Sequence, residues 1–117
     1  MRKGDKMDIN TFQKLSVRTM NPSLTQEQQI CNCIIGIQSE AGEMANEFKK
    51  NFFQGHALDL NHVHEELGDV MFYIVNLATL LDLDMEEIIE ANYDKLMKRF
   101  PNGFSAAASI ARVDKEK

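Results

Sequence analysis

The sequence of 117 residues contains no tryptophan, two prolines and two cysteines, and its aromatic content is 8%. Cys31 and Cys33 form neither a CxxC motif nor a zinc-finger pattern, which argues against a disulfide framework or a structural zinc site. We therefore expect free thiols in a reducing compartment. Pro22 and Pro101 each interrupt a helical pattern, and no Gly-rich phosphate loop or strand pattern is present.

Long hydrophobic runs and an excess of positive charge are also lacking. No apolar run approaches the length of a membrane span, and no apolar signal segment follows the charged residues 1–6. The net charge of −5 leaves no basic stripe to neutralise nucleic-acid phosphates. We expect a cytoplasmic protein that binds neither a membrane nor nucleic acid, and that needs metal ions if its substrate is an anion.

Two acidic motifs lie within long helical patterns. Glu40 and Glu43 belong to the first motif, and Glu66 and Asp69 belong to the second. Side chains three residues apart share a helix face, and each pair flanks the apolar stripe of its own helix on the same hand. If the two helices form an antiparallel hairpin across the short linker at about residues 51–61, the four carboxylates converge.

Convergent carboxylates repel one another unless a cation lies among them or some are protonated. Oxygen ligands suit Mg²⁺, with Mn²⁺ also possible. A single ExxE motif is usually a solvated helix face, but two matched motifs favour a metal site. We interpret the three histidines, His56, His62 and His64, as surface or capping residues rather than ligands.

Capping and helix-breaking signals divide the chain into four helices followed by a tail. The charged end at residues 114–117 is predicted to fray, and a short helix is possible at residues 105–112. We therefore expect an all-α fold in a single domain over residues 1–117, with a core at about 8–104 and a tail at 105–117. The predicted helices run from Ile9 (after the N-cap Asp8) to about Met20, from the Thr25 to Gln28 capping box to about Asn51, from Asp59 or Asn61 to around Leu81, and from the N-cap Asp84 to about Phe100.

Four further side chains lie beside these apolar stripes. Tyr73 follows Asp69 by one turn, and Asn92, Lys95 and Arg99 share one face of the fourth helix. Boundary packing explains a tyrosine at such a position, and lysine or arginine beside a core edge is usually a surface residue. These side chains can equally contact a substrate that is held at the acidic motifs.

Together these residues resemble the MazG-like nucleotide pyrophosphohydrolases, a group of all-α NTP pyrophosphatases whose mark is ExxE followed at a distance by ExxD. The resemblance covers nearly the whole chain, and it implies an all-α, four-helix-bundle-like fold with the acidic motifs on two antiparallel central helices. One departure is Ser39, which precedes Glu40 where many members carry an additional acid, and it leaves the number of bound metal ions open. The matching segments are Phe12-Gln13 with Arg18-Thr19, Glu40 to Glu43, Glu65 to Val70, and Asn92, Lys95-Leu96, Arg99 and Pro101 to Phe104.

The resemblance implies hydrolysis of a nucleoside triphosphate between the α and β phosphorus atoms, giving a monophosphate and pyrophosphate, in nucleotide pool control or house-cleaning. It also implies a homodimer or homotetramer. Either Glu40 or Glu43 is expected to accept the proton of the attacking water. The implied site comprises Mg²⁺ ligands at Glu40, Glu43, Glu66 and Asp69, phosphate contacts from Lys95 and Arg99, and nucleotide contacts from Asn92 and Tyr73.

Three alternatives stay open at this point. A dUTP-type or phosphoribosyl-ATP-type pyrophosphohydrolase of the same superfamily would share the metal chemistry and differ in its base pocket. A non-enzymatic helical protein could use the acids to bind a structural metal ion, or could bind none. A coiled-coil adaptor fits less well, because Pro22, the linker at residues 52–56 and Pro101 interrupt the apolar spacing.

Overall fold

The computed structural model describes residues 6–115, so the expectations for the N-terminal residues 1–5 and for residues 116–117 lie outside the described part. No strand occurs within residues 6–115, which confirms the all-α prediction. No helix in this range combines the length and the apolar character that crossing a membrane requires. The elements are α1 (Ile9–Ser16), a 3₁₀ turn (Val17–Thr19), α2 (Gln26–Gln54), α3 (Leu60–Leu80), α4 (Met85–Arg99) and α5 (Ala106–Ala111).

Side-chain caps begin the four long helices at the predicted positions. Thr25 and Gln28 form a reciprocal capping box at the start of α2. The three other caps are aspartates. Backbone N–H groups in the first turn of a helix have no acceptor within that helix, and each aspartate carboxylate accepts a hydrogen bond from one of them. These aspartates are Asp8 for α1, Asp59 for α3 and Asp84 for α4.

Two helix ends differ from the prediction. The α-helical part of α1 stops at Ser16 and continues only as the 3₁₀ turn, whereas α2 extends to Gln54 and includes Phe52 and Phe53. Gly55 ends α2 in the left-handed conformation with φ of 74°, which glycine adopts at no steric cost. The linker between α2 and α3 is therefore shorter than the sequence predicts.

Helices α2 and α3 form the main packed pair of the fold. At one end of the pair, Gln26 Nε2 donates a hydrogen bond to the carbonyl of Leu80 at 3.1 Å. At the other end, Glu47 Oε2 lies 2.8 Å from His62 Nδ1. The start of α2 thus meets the end of α3, and the end of α2 meets the start of α3, so the two helices run in opposite directions.

Polar side chains attach α1 to α3. The fully buried Asn76 donates through Nδ2 to Ser16 Oγ at 3.2 Å and to the Phe72 carbonyl at 2.8 Å. Gln13 Nε2 donates to Thr79 Oγ1 at 3.2 Å and to a carbonyl in the turn after α3. These bonds satisfy the buried amide nitrogen of Asn76 and fix the position of α1 along α3.

The structure divides into two compact units, residues 6–83 with α1 to α3 and residues 84–115 with α4 and α5. In the second unit, Arg99 donates to Asp114 through Nε at 2.8 Å and through Nη2 at 3.0 Å, and Arg112 donates to the same carboxylate. The predicted fraying is therefore wrong at Asp114, whose side chain is fully buried. Hydrogen bonding to Arg99 holds the pKa of Asp114 far below its usual value. The four-helix bundle and the single domain stay predictions.

A close approach of α2 and α3 at Gly36 gives the first testable prediction. A Cβ at Gly36 would lie 2.6 Å from ring atoms of Tyr73, so the ring must shift if alanine replaces this buried glycine. We expect Gly36→Ala to lower the free energy of unfolding by about 1–2 kcal/mol, the cost of overpacking less the gain in helix propensity. Urea unfolding followed by circular dichroism measures this difference.

The matched control is Gly68→Ala in α3. Its added Cβ meets nothing within 4 Å, so the substitution should raise the unfolding free energy by about 1 kcal/mol through helix propensity alone. If both variants gained stability equally, the close contact between Gly36 and Tyr73 would be disproved.

Candidate metal centre

Glu66 lies at the middle of the acidic cluster and is only 4% exposed. Its carboxyl oxygen Oε1 lies 3.1 Å from His62 Nε2. The second oxygen, Oε2, is buried and finds no hydrogen-bond donor within residues 6–115. A buried carboxylate oxygen without a donor is unfavourable, so this position requires either a proton or a cation.

The neighbours of Glu66 explain the missing donor, because two of them are carboxylates. A hydrogen bond shared with Glu40 raises the pKa of Glu66 to about 7, and burial and the negative charges of Glu40 and Glu43 act in the same direction. A protonated Glu66 can donate to Glu40, whereas an ionised one cannot. The cluster can therefore hold a proton near neutral pH when no cation is bound.

The structure brings all four predicted carboxylates together around Glu66. Oxygen atoms of Glu40, Glu66 and Asp69 lie within 4.8 Å of one another. A second group with the same spacing consists of Glu43, His62 and Glu66. Glu40 is half-buried, whereas Glu43 and Asp69 are exposed, so the cluster has a closed side and an open side.

A constant register between α2 and α3 produces this cluster. Each step of three or four residues forward in α2 corresponds to an equal step back in α3. The facing pairs are Gly36 with Tyr73, Glu40 with Asp69, Glu43 with Glu66, and Glu47 with His62.

Glu47 and His62 are the residues that the sequence analysis did not assign to the site. His62 is half-buried and lies between two carboxylates, with Glu47 Oε2 2.8 Å from Nδ1 and Glu66 Oε1 3.1 Å from Nε2. Hydrogen bonding to Glu47 is the main cause that raises the pKa of His62. Continuing the antiparallel register by one turn beyond the acidic motifs would have found this pair.

The predicted nucleotide contacts are distributed over both units. Tyr73 is half-buried, its ring covers Gly36, and it packs edge-to-face on Phe72 at a centroid distance of 5.2 Å. In the second unit Asn92 and Lys95 are exposed, and Arg99 is paired with Asp114. The roles of these side chains in substrate binding stay predictions.

The helical architecture and the carboxylate cluster define an all-α protein with a site that can hold a divalent cation. The MazG nucleotide pyrophosphohydrolase domain family matches residues 28–104, and the chain belongs to this family. The matched range contains both acidic motifs and His62. Members of the family depend on divalent metal ions, in agreement with the donor set of the cluster.

The chain is also similar to the gene 37 protein of Mycobacterium phage L5. The two sequences are 34% identical over 73 residues, a stretch that represents 59% of this chain and 64% of the phage protein. The similarity thus covers less than two thirds of the phage protein. No solved structure matches the chain significantly.

The raised pKa of Glu66 predicts how the stability of the metal-free protein depends on pH. Between about pH 4.5 and 7 the folded state holds a proton that the unfolded chain has lost, so the free energy of unfolding falls as pH rises through this range. His62, whose pKa is also raised, contributes a fall in the same direction above its ordinary value of 6.5. We expect Glu66→Gln, which is neutral throughout, to have a flatter pH profile.

Urea unfolding in EDTA at several pH values from 5 to 8 measures these slopes. Glu27→Gln, an exposed position in the first turn of α2, is the control and should follow the wild-type slope. A wild-type stability that did not fall with pH, or a Glu66→Gln slope equal to that of the wild type, would contradict the assignment.

Proposed function

We propose that this protein hydrolyses a nucleoside triphosphate, or its deoxy form, to the monophosphate and pyrophosphate. The observation that carries the proposal is the convergence of Glu40, Glu43 and Asp69 on the buried Glu66, one oxygen of which has no donor within residues 6–115. Membership of the MazG family supports the same reaction. The physiological role that we propose is nucleotide pool control or the removal of aberrant nucleotides, in the cytoplasm.

The proposed ligands of Mg²⁺, or of Mn²⁺ in its place, are Glu40, Glu43, Glu66 and Asp69. Hard oxygen donors suit both ions, and the unpartnered oxygen of Glu66 supplies a lone pair that nothing else in residues 6–115 uses. When bound, a divalent ion neutralises phosphate oxygens and lowers the pKa of coordinated water.

The reaction that we propose is attack of water on the α phosphorus. A bond forms between the water oxygen and this phosphorus, the bond to the bridging oxygen breaks, and pyrophosphate leaves. The water proton goes to Glu43 in our assignment, because Glu43 is exposed and Glu40 is half-buried beside Glu66. General base catalysis of this kind contributes about 10²–10⁴-fold to a rate.

Side chains outside the cluster are proposed to bind the rest of the substrate. Lys95 is exposed and is available to phosphate oxygens, and Asn92 and Tyr73 are assigned to the nucleoside. Arg99 can contact a phosphate only in competition with Asp114, which already occupies its bidentate face. A guanidinium binds phosphate and carboxylate in the same bidentate geometry, so a phosphate can replace the Asp114 carboxylate on Arg99.

We also propose that the protein forms a homodimer or a homotetramer. Leu60, Leu67 and Met71 share one face of α3 and are 67%, 55% and 37% exposed. A cluster of exposed apolar side chains such as this, with the exposed His64 among them, is typical of an interface. Leu67→Lys should lower the mass that sedimentation velocity measures, because it places a charge within this apolar cluster. The control is Asn61→Lys, at an exposed polar position of α3, which should leave the mass unchanged. A wild-type protein that sediments at 13.4 kDa, the mass of one chain, would contradict the proposal.

A pyrophosphate assay tests the reaction. A panel of canonical and modified nucleoside triphosphates is incubated with the protein in Mg²⁺, in Mn²⁺ and in EDTA, and the products are separated. We expect equal amounts of monophosphate and pyrophosphate in the presence of either ion and none in EDTA. A strong preference for dUTP or phosphoribosyl-ATP would assign the protein to that branch of the superfamily. Release of orthophosphate alone, or no turnover by a folded protein that binds metal, would refute the proposal.

The same assay tests the role of Glu43. Glu43→Gln keeps the size of the side chain and removes its basicity, so we expect turnover to fall by about 100-fold or more while the helical circular dichroism stays unchanged. Glu27→Gln, remote from the cluster on the same helix, is the matched control and should retain full turnover. Retained activity in Glu43→Gln would exclude this residue as the proton acceptor.

A further inference from the structure

His62 occupies a position that a simple surface histidine does not need. Both of its ring nitrogens face carboxylates, with Nδ1 2.8 Å from Glu47 Oε2 on α2 and Nε2 3.1 Å from Glu66 Oε1 on α3. The Glu47 side chain is only 16% exposed and the Glu66 side chain only 6%. The imidazole therefore bridges the two helices directly beside the acidic cluster.

The contact with Glu47 fixes the orientation of the ring. An imidazole that donates from Nδ1 to a carboxylate presents its other nitrogen, Nε2, to whatever lies on the opposite side. Histidines that bind metal ions are commonly held in this way, with a carboxylate on the nitrogen that does not touch the metal. The Glu47–His62 pair has the geometry of such an outer contact.

On the opposite side, Nε2 meets donor atoms at a spacing suitable for a metal ion. Two ligand atoms that are each about 2.1 Å from one ion and at right angles to each other lie about 3 Å apart. The observed 3.1 Å between His62 Nε2 and Glu66 Oε1 fits this spacing. Glu43 provides a third donor, since its oxygen, His62 nitrogen and Glu66 oxygen all lie within 4.8 Å of one another.

Glu66 gives independent support for a ligand at this place. It is 4% exposed, and its Oε2 is buried without a hydrogen-bond partner among the described residues. With Oε1 facing His62, the free Oε2 allows one carboxylate to serve both groups of donors, Glu40 with Asp69 and Glu43 with His62. Glu66 can thus bridge two neighbouring cation positions.

We propose that His62 is a metal ligand through Nε2, at a second cation position that Glu43 and Glu66 complete and whose histidine ring Glu47 orients. One nitrogen and two oxygen donors favour a first-row transition dication over Mg²⁺, because imidazole nitrogen is a softer donor than carboxylate oxygen. The inference rests on the proposed metal centre, since Glu43 and Glu66 belong to both, but it does not require nucleotide hydrolysis.

Mn²⁺ alone is the probe for this position, because it is paramagnetic and binds nitrogen and oxygen donors. Pulsed electron paramagnetic resonance of wild-type protein with Mn²⁺ should show hyperfine coupling to an imidazole nitrogen. The coupling should disappear in His62→Gln and remain in His64→Gln, an exposed histidine two residues further along α3. This spectrum reports ligation directly and needs no activity.

The affinities for Mn²⁺ and Mg²⁺ test whether this position prefers a transition dication over Mg²⁺. Calorimetric titration should show that His62→Gln weakens Mn²⁺ binding at one position by about 10-fold or more, with a change of less than about 3-fold for Mg²⁺. Glu47→Gln should weaken Mn²⁺ binding by about 10-fold and keep the nitrogen coupling, since it removes only the outer contact. His64→Gln should match the wild type for both ions.

The outcomes separate this inference from the proposed function. Mn²⁺ binding without nitrogen coupling in the wild type, or with coupling that survives in His62→Gln, would overturn the role of His62 and leave the carboxylate site intact. Failure of the wild type to bind either ion would overturn both proposals. An unchanged Mn²⁺ affinity in Glu47→Gln would exclude Glu47 as the orienting residue.

Discussion

The described structure depends on how the charge of Glu66 is compensated. The apolar stripes of α2 and α3 pack together, and this same packing removes Glu66 from water while leaving one of its oxygens without a donor among the described residues. Glu40 and Glu43 lie around it, and ionised carboxylates can only accept hydrogen bonds. The helix pair therefore requires either a proton or a cation inside the cluster, and the proposed binding of a divalent ion would be coupled to the stability of the pair.

The register of α2 against α3 decides which side chains meet in this cluster. In the first of the facing pairs, Gly36 on α2 accommodates the ring of Tyr73 on α3, and any larger residue at position 36 would displace that ring. From this point the facing pairs follow in regular steps to Glu47 and His62 near the linker. The bonds from Asn76 and Gln13 to their partners add α1 to the same unit. The packing that fixes Tyr73 is thus also the packing that aligns the acids.

Much of the fold is predictable from the sequence because its signals are local. Asp8, Thr25, Asp59 and Asp84 cap helices through contacts within one turn, and the apolar periodicity identifies the buried faces. The end of α2 is less predictable, since Phe52 and Phe53 are moderate helix formers whose state depends on where Gly55 adopts a positive φ. The end of α2 is set by the backbone conformation of Gly55, and the amino-acid composition around this glycine does not specify that conformation.

The candidate site and its surroundings also contain some residues that local sequence patterns predict and others that depend on tertiary contacts. Its four acids follow from matched spacing on two helices, a pattern that any antiparallel pairing would bring together. Asp114 does not follow from such a pattern, because its partner Arg99 lies on another element of the second unit and a short charged segment gives no signal of its folded position. His62 is an intermediate case, since its spacing from Glu66 is local but its contact with Glu47 depends on the tertiary register.

The unequal exposure of the acids then suggests how one cluster can serve both folding and binding. Glu66 is enclosed, so its need for a proton or a cation is the same whether or not a substrate is present. Glu43 and Asp69 are exposed, so the carboxylates that we propose as metal ligands there lie at the edge of the cluster that solvent reaches. A fully buried cluster would be inaccessible to water and to a substrate, and a fully exposed one would bind cations weakly. The position of Glu66 on the contact face, with its partners at the rim, meets both requirements through helix register alone.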